Sequence, residues 1–421
     1  MVILLVGVLI FSGILPGFRA PTGGTGGQVV WWGTLPLDTI QPVISALNES
    51  HQDEFTLEYV EKNPRSLELE FIEALASGQG PDLILLPDDL LLKQADKLYP
   101  IPYETFSRGL FQDTFARGAE LYLGPEGILG LPLYVDPLVM YYNRDLISGA
   151  ALPKPPGTWG EVGLAVPLLR QTDAGGNILQ SPIGLGEFSN LLQAKDLLAL
   201  LMLQAGTPII DRNEAGQPEV VLQNNFGFTK QPAAEAVAFF NRFADPSNTL
   251  YSWNTALPEA RELFARGQLA LYLGYASEFD ILRRQNPLLD FEVALVPQRE
   301  SGLKNLTLGR FPAVSIVKNS QNLATAFQVA YYLAGAEFVT PLIEAIKLPP
   351  ARLDLLGAPP ARDARQTNFF KAAVMATTWL DPDPAKTREI FKRLVDTTQV
   401  GTVEITKALN QAHLELEALL R

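Results

Sequence analysis

Cysteine is missing altogether from these 421 residues. Its absence excludes disulfides, iron–sulfur clusters, thiolate zinc sites and cysteine nucleophiles together. It also excludes the acylated cysteine that tethers many lipoproteins. Histidine is almost as scarce, His51 and His413 being the whole supply, so histidine-rich metal centres and Ser-His-Asp catalysis have little to draw on. There is no basic cluster with interleaved aromatics. The 46 acidic residues outnumber the 33 basic ones, a formal charge of −13 spread along the chain, which favours solubility and argues against a nucleic-acid partner. The glycine-rich run Gly23 to Gly27 precedes the first strand instead of following one, so no phosphate-binding loop is expected. Neither a cofactor nor a metal site is expected.

What is present suffices for a packed interior. A hydrophobic fraction of 47% with 19% charged residues is ordinary for a globular chain, and the length exceeds what one compact core organises, so two domains are expected. Val2 to Phe18 is apolar and uncharged, and Arg19 and a Gly/Thr-rich run from Pro21 to Gly27 follow it. Residues 1–20 read as an export signal or membrane anchor and 21–27 as a flexible linker. No basic stretch precedes the apolar run and no small-x-small cleavage site follows it. Retention as an anchor, and with it an extracytoplasmic, membrane-associated location, is expected.

Gln28 to Trp32 reads as a buried strand turned by Gly33. Asp38 or Thr39 can cap a helix whose apolar face is Ile40, Val43, Ile44 and Leu47, at i, i+3, i+4 and i+7. A strand over Phe55 to Val60, a helix over Ser66 to Ser77 and an apolar strand from Asp82 to Leu86 complete the order of a parallel α/β sheet. Leu133 to Tyr142 reads as another strand, closed by Asn143-Arg144-Asp145, whose side chains tie up turn backbone groups. Tyr141 and Tyr142 are neighbours in that strand and point to opposite faces, which excludes their joint use as iron ligands. Thr158 and Glu161 have the spacing of a capping box, and Pro258 and Gly267 bracket a helix over Glu259 to Arg266. Gln268 to Leu273, Phe291 to Val296 and Phe311 to Val317 read as strands, and the C-terminal part is mainly helical.

Several segments carry a resemblance. In order they are Gly80-Pro81-Asp82-Leu83-Ile84, Gly130-Leu131-Pro132-Leu133-Tyr134 and Leu138-Val139-Met140-Tyr141-Tyr142-Asn143-Arg144-Asp145. Then come Pro156-Gly157-Thr158-Trp159-Gly160-Glu161, Gln204-Ala205-Gly206, Phe264-Ala265-Arg266-Gly267-Gln268-Leu269-Ala270-Leu271 and Phe291 to Pro297. Taken together they resemble the family 1 extracellular solute-binding proteins, the group containing maltodextrin-binding and related sugar-binding proteins. The resemblance implies an α/β, two-lobed periplasmic-binding-protein fold (type II). Its ligand cleft lies between lobes joined by three crossover segments and closes by a hinge motion. Crossings are expected near Asp136, near Val293 to Pro297 and near Lys347 to Ala351. Lobe one is then 28–136 and 298–346, and lobe two 137–297 and 347–421.

A sugar offers hydroxyls that need donors and acceptors, and apolar C–H faces that lie well on aromatic rings, so carboxylates or amides beside Trp or Tyr are sought. Positions just past strand ends are favoured in open α/β sheets. Trp32 and Thr34 follow the first strand and Asp88 the third, in loops that line the cleft in the resembling family. Asp136, beside Tyr134 at the first crossing, matches the place where the maltodextrin-binding branch carries an acidic cleft residue. Glu187 and Asn190 fall in a loop that often contributes to such sites. Trp253, Tyr275 and Trp379 are the candidate stacking platforms; Trp379 precedes Leu380-Asp381-Pro382, as a cleft aromatic does in family members. Ala276 stands where the maltodextrin branch has a tryptophan, a departure that counts against a maltodextrin ligand. Trp379 and Asp136 are expected on opposite walls of one cleft.

By the resemblance, the chain binds a small polar solute, a mono- or oligosaccharide, for ABC permease subunits in the membrane, as a monomer. A surface sensor or glycan-binding module uncoupled from transport is the alternative on the same fold. A carbohydrate-cleaving enzyme is the rival from another class. Asp88 and Asp89 are adjacent and Asp136 could stand opposite, but no motif fixes the carboxylate separation that such chemistry needs.

Overall fold

The computed structural model describes residues 27–300, 304–358, 363–399 and 403–421; the expected signal or anchor and the linker up to residue 26 lie outside them. In chain order the strands are β1 (Gly27–Gly33), β2 (Phe55–Glu61), β3 (Leu83–Leu86), β4 (Leu131–Pro132), β5 (Asp136–Asn143), β6 (Gln171–Thr172), β7 (Ile178–Ile183), β8 (Ile210–Arg212), β9 (Pro218–Val220), β10 (Leu269–Tyr275), β11 (Phe291–Ala294), β12 (Thr307–Arg310), β13 (Ala313–Ile316) and β14 (Ala376–Thr377). They form two principal sheets, one per lobe.

The first sheet runs β2-β1-β3-β13-β4, with β1 parallel to β2 and β3, and β13 antiparallel to β3 and β4. Alternation along β2 buries Phe55, Leu57 and Tyr59 and exposes Thr56 and Glu58. The helix Leu37–Ser50 buries Ile40, Val43, Ile44 and Leu47, the face its periodicity predicts. Trp31 pins the sheet to its helices: fully buried, it meets Tyr59 edge-on at 5.0 Å and Phe338 of helix Ala336–Ile346 at 6.2 Å between ring centroids. The second sheet runs β14-β12-β5-β10-β7-β6, with β11 also on β5. Every residue of β10 is buried, as expected of a central strand covered by helices on both faces.

Three chain segments pass between the sheets side by side. The Leu133 N–H donates to the Pro312 carbonyl (3.0 Å), the Val135 N–H to the Pro349 carbonyl (2.8 Å) and the Ala351 N–H to the Leu133 carbonyl (3.2 Å). Residues 133–135 therefore carry the chain from β4 to β5, and 311–312 carry it from β12 to β13. The third crossing lies alongside at 348–351.

The second crossing falls later than the sequence suggested. β5 has eight residues, and β11, with four, covers only its C-terminal half, from Met140 to Asn143. The uncovered half of that edge leaves backbone groups to be satisfied, and β12 returns to fill it, Gly309 opposite Pro137 and Arg310 opposite Asp136. The described residues between these strands stay on lobe two. Gln298 exchanges backbone bonds with Gly157 and Trp159. Gln204 accepts from the Trp159 indole N–H (2.6 Å) and donates to the carbonyls of Pro297 (3.0 Å) and Leu306 (3.1 Å). Residues 298–300 and 304–310, expected in lobe one, thus pack in lobe two. The stretch Phe311 to Val317 is not one strand, because Phe311 and Pro312 change sheets. Conversely, Arg352 donates to the Ala334 carbonyl (3.0 Å) and keeps the start of 347–421 on lobe one; helix Ala364–Met375 resumes lobe two against β5. Among the described residues no single helix is long and apolar enough to cross a membrane.

Replacing Trp31 with alanine is expected to cost about 3–5 kcal/mol of lobe-one stability, read as a lower urea midpoint. Trp32→Ala, on the opposite sheet face, is expected to cost less than about 2 kcal/mol. Equal costs for the two would contradict this assignment of faces.

Candidate functional site

Strand ends from both lobes meet where the crossings lie. From lobe one, the turn after β3 brings Asp88 and Asp89. From lobe two, the ends of β10, β12 and β14 bring Tyr275, Arg310 and Thr378-Trp379, and the first turn of helix Ala194–Ala205 brings Lys195 and Asp196. With Asp381 these residues line one polar pocket.

Asp88 is buried, and both of its oxygens are engaged. Oδ1 accepts from the Phe311 N–H in the second crossing (3.0 Å), and Oδ2 accepts from the Thr378 hydroxyl of lobe two (2.9 Å). Burial and the adjacent Asp89 push its pKa up to about 7, against the pull of those two donors and of Arg310. Expected as a ligand acceptor, Asp88 is a tie between the lobes. Its neighbour Asp89, half-buried, makes no hydrogen bond or ion pair within the described residues.

Lys195 pairs with Asp381 at 2.5 Å, and Asp381 also accepts from the Thr387 hydroxyl (2.7 Å). Burial works against the charge on Lys195, but Asp381, Asp196 and Asp89 outweigh it and hold its pKa above the ordinary value. Tyr275 donates its hydroxyl to Asp196 (2.8 Å) and its N–H to Glu278 (2.9 Å), and its carbonyl accepts from the Tyr141 hydroxyl (2.6 Å). The Arg310 guanidinium lies 3.7 Å from the centre of the Tyr275 ring. Arg310 is walled in by the cleft yet its side chain is 51% exposed, and its carboxylate contact is the long one to Asp196, 3.5 Å. Trp379 stacks on Phe391, centroids 5.9 Å apart and planes 12° apart, and lines the pocket.

Other expected positions lie outside this pocket. Asp136 is buried with both oxygens on Ser277, accepting from its N–H (2.9 Å) and its hydroxyl (2.6 Å). Burial raises its pKa to about 6, against Arg310 and those two bonds. It caps the turn after β10 and shares lobe two with Trp379 instead of facing it across the cleft. Tyr134 is buried in the first crossing, bridged to Pro350. Trp253 is fully buried, its indole N–H on Asn190 Oδ1 (2.8 Å), while Asn190 donates to the carbonyls of Asn254 (2.9 Å) and Leu257 (2.8 Å). The Glu187 pKa is raised by burial and Asp396 and lowered by Lys392, residues of helix Pro384–Gln399 outside the pocket. Trp32 lies under the Lys62 ammonium at 3.7 Å, and Thr34 makes no side-chain hydrogen bond within the described residues. Of the expected residues, Asp88, Tyr275 and Trp379 come together. Asp89, Lys195, Asp196, Arg310 and Asp381 were not singled out as contacts. Asp381 stood two residues from Trp379 in a segment already noted; the charged pair opening the Ala194–Ala205 helix and the lone arginine carried no local signal.

The Asp88 carboxyl has a higher pKa folded than unfolded, about 7 against 3.8. The folded chain therefore binds more protons in that window, and stability falls as pH rises from about 4 to about 7, by up to about 1.4 kcal/mol per pH unit. Compared with the parent, Asp88→Asn should lose less stability between about pH 4 and about pH 7, read as melting temperature against pH. An unchanged slope in the variant would contradict the assignment.

Residues 34–339 match the family described as bacterial extracellular solute-binding protein. Proteins of Brucella abortus (strain 2308) and Brucella suis biovar 1 (strain 1330), each named as a binding protein, are 22% identical over 268 residues, 62% of this chain. The match spans 59% of the length of those relatives. Similar solved structures include a cyclo/maltodextrin-binding protein complexed with maltotetraose (TM-score 0.74, 15% identity, 94% of this chain and 98% of that one). A cyclic alpha-maltosyl-1,6-maltose binding protein from Arthrobacter globiformis has a TM-score of 0.76 at 15% identity, over 94% and 99% of the two chains. An ABC transporter solute-binding protein from Thermotoga lettingae bound with alpha-D-tagatose has a TM-score of 0.68 at 19% identity, over 94% and 100%. With two lobes, three adjoining crossings and a polar pocket where they meet, the chain belongs to the bacterial extracellular solute-binding proteins.

Proposed function

We propose that this chain is the extracytoplasmic substrate-binding protein of an ABC importer and holds a small polar solute, a carbohydrate, by hinge closure. The observation that carries the reading is the lobe junction itself: an uncommitted carboxylate (Asp89), a guanidinium with donors to spare (Arg310) and an indole at the wall (Trp379) share one pocket. Sugar hydroxyls need both an acceptor and donors, and sugar C–H faces pack on aromatic rings. The relatives solved with maltotetraose and alpha-D-tagatose support a saccharide. Closure is supported by bonds that span the cleft: Asp88 to Thr378, and Lys93 of lobe one to Asp383 of lobe two at 3.2 Å. The apolar N-terminal segment would keep the protein on the outer face of the membrane beside the permease subunits.

Binding without turnover is part of the proposal. Glycoside hydrolysis works with two carboxyl groups at the scissile bond. Here Asp88 is engaged by Phe311 and Thr378, Asp136 by Ser277, Asp196 by Tyr275 and Asp381 by Lys195, which leaves Asp89.

A thermal-shift screen of mono- and disaccharides, polyols and amino acids tests the reading. A saccharide is expected to raise the melting temperature by mass action, worth about 2.7 kcal/mol at a hundredfold excess over Kd. Asp89→Asn should weaken that ligand by about 1.5–3 kcal/mol, one to two decades, since a charge-assisted bond is lost. The unliganded variant should melt close to the parent, because Asp89 makes no hydrogen bond or ion pair within the described residues. Stabilisation by amino acids alone would sink the carbohydrate reading.

A further inference from the structure

We propose that Arg310 is the specificity-determining residue of this cleft: its guanidinium is a fixed donor fork that grips two neighbouring hydroxyls of an uncharged saccharide, while the carboxylates around it turn acidic sugars away. This rests on the saccharide reading above and adds which residue reads the sugar and which charge class is admitted.

The first observation is that Tyr275 is not available as a stacking platform. The face that a sugar ring could lie on is covered by the Arg310 guanidinium, 3.7 Å from the ring centre. The second is that the ring beneath the guanidinium is held in place. Tyr275 is anchored through its hydroxyl to Asp196, through its N–H to Glu278 and through its carbonyl to Tyr141, so the surface on which Arg310 rests is fixed. Arg310 is also the last residue of β12, in register with Asp136, immediately before the chain crosses between lobes at Phe311. Its backbone is fixed by the sheet on one side and by the Asp88 bond to Phe311 on the other.

The third observation concerns unused donors. A guanidinium carries five N–H groups in one plane, and Arg310, its side chain 51% exposed, approaches a carboxylate at Asp196, at 3.5 Å. A pre-oriented fork with free edges suits a planar pair of acceptors, either a carboxylate or two adjacent hydroxyl oxygens. The surrounding charges decide between them. Lys195 is spent on Asp381 at 2.5 Å. Asp89, Asp196 and Asp381 line the pocket against the two cations Lys195 and Arg310, so a carboxylate placed on Arg310 would stand among like charges. A hydroxyl pair avoids that repulsion, accepting from Arg310 and donating to the free carboxylate of Asp89. Lysine at 310 would keep the positive charge but could not present two coplanar donors.

The test is calorimetry on the full-length protein and on Arg310→Lys, with D-glucose, D-galactose, D-xylose and maltose beside D-glucuronate and D-galacturonate. The expected result has three parts. At least one neutral sugar binds the wild type and its uronate does not. Arg310→Lys binds that sugar at least about tenfold more weakly while melting within about 3 °C of the parent. Across the monodeoxy forms of the sugar, the wild type loses affinity at two adjacent positions and the lysine variant loses little more there. The last comparison separates reading from scaffolding, because a merely structural arginine would weaken all the forms alike. A uronate that binds more tightly than its neutral parent overturns the charge class, and this arm needs no variant. Unchanged affinity in Arg310→Lys overturns the role of Arg310 while leaving the saccharide reading intact. Failure of the wild type to bind any neutral sugar defeats both.

Discussion

The Asp88 carboxylate, hydrogen-bonded to the Phe311 N–H and the Thr378 hydroxyl, is the interaction on which the geometry of the cleft depends. Each of its three participants is followed or preceded in the chain by a group that faces the pocket: Asp89 follows Asp88, Arg310 precedes Phe311 and Trp379 follows Thr378. One tie thus sets the mutual spacing of a carboxylate, a guanidinium and an indole that come from three distant parts of the sequence. Taking a carboxyl group out of water is costly unless donors replace the solvent, and the two donors exist only while crossing and lobes are in this arrangement. Parting the lobes returns Asp88 to water, so its protonation and the closure of the cleft are coupled.

Around that tie the charged groups fall into two kinds. Lys195 with Asp381, and Asp136 with Ser277, are satisfied internally and hold backbone in place. Removing one partner of such a buried pair typically costs about 3–5 kcal/mol, because it strands the other charge, so these residues belong to the frame. Asp89 and Arg310 retain free capacity and are the groups able to exchange water for ligand. Lys93, which bonds Glu68 at 2.8 Å and Asp383 at 3.2 Å, adds a second contact between the lobes at the rim, where solvent reduces its worth.

Much of the frame was legible in the sequence. The helix face of Ile40, Val43, Ile44 and Leu47, the parallel opening strands and the opposed faces of Tyr141 and Tyr142 follow from periodicity, a local property. Thr158 accepts from the Glu161 N–H (3.2 Å), as its spacing predicts, although Glu161 reaches back to the Gly157 N–H (2.6 Å) in place of the cap residue's own. What was not legible depends on partners distant in the chain. A β5 edge half-covered by β11 is what draws β12 into lobe two, and no local pattern announces an uncovered edge. Asp136, Asn190 and Trp253 look like ligand groups for the same reason that they work as internal fasteners: each carries a strong hydrogen-bonding function beside apolar sequence. Arg310 gave no signal, because a single arginine at a strand end reads as a solvated turn until Tyr275 is found beneath it.

The most direct test of this account is a crystal structure of the protein with a bound saccharide from the screen. The expected result is the sugar beside Trp379, with oxygens within about 2.7–3.2 Å of Asp89 and of two Arg310 nitrogens, the lobes standing farther apart than here to admit it. A sugar seated elsewhere, or one in contact with neither Asp89 nor Arg310, would be the contradictory result.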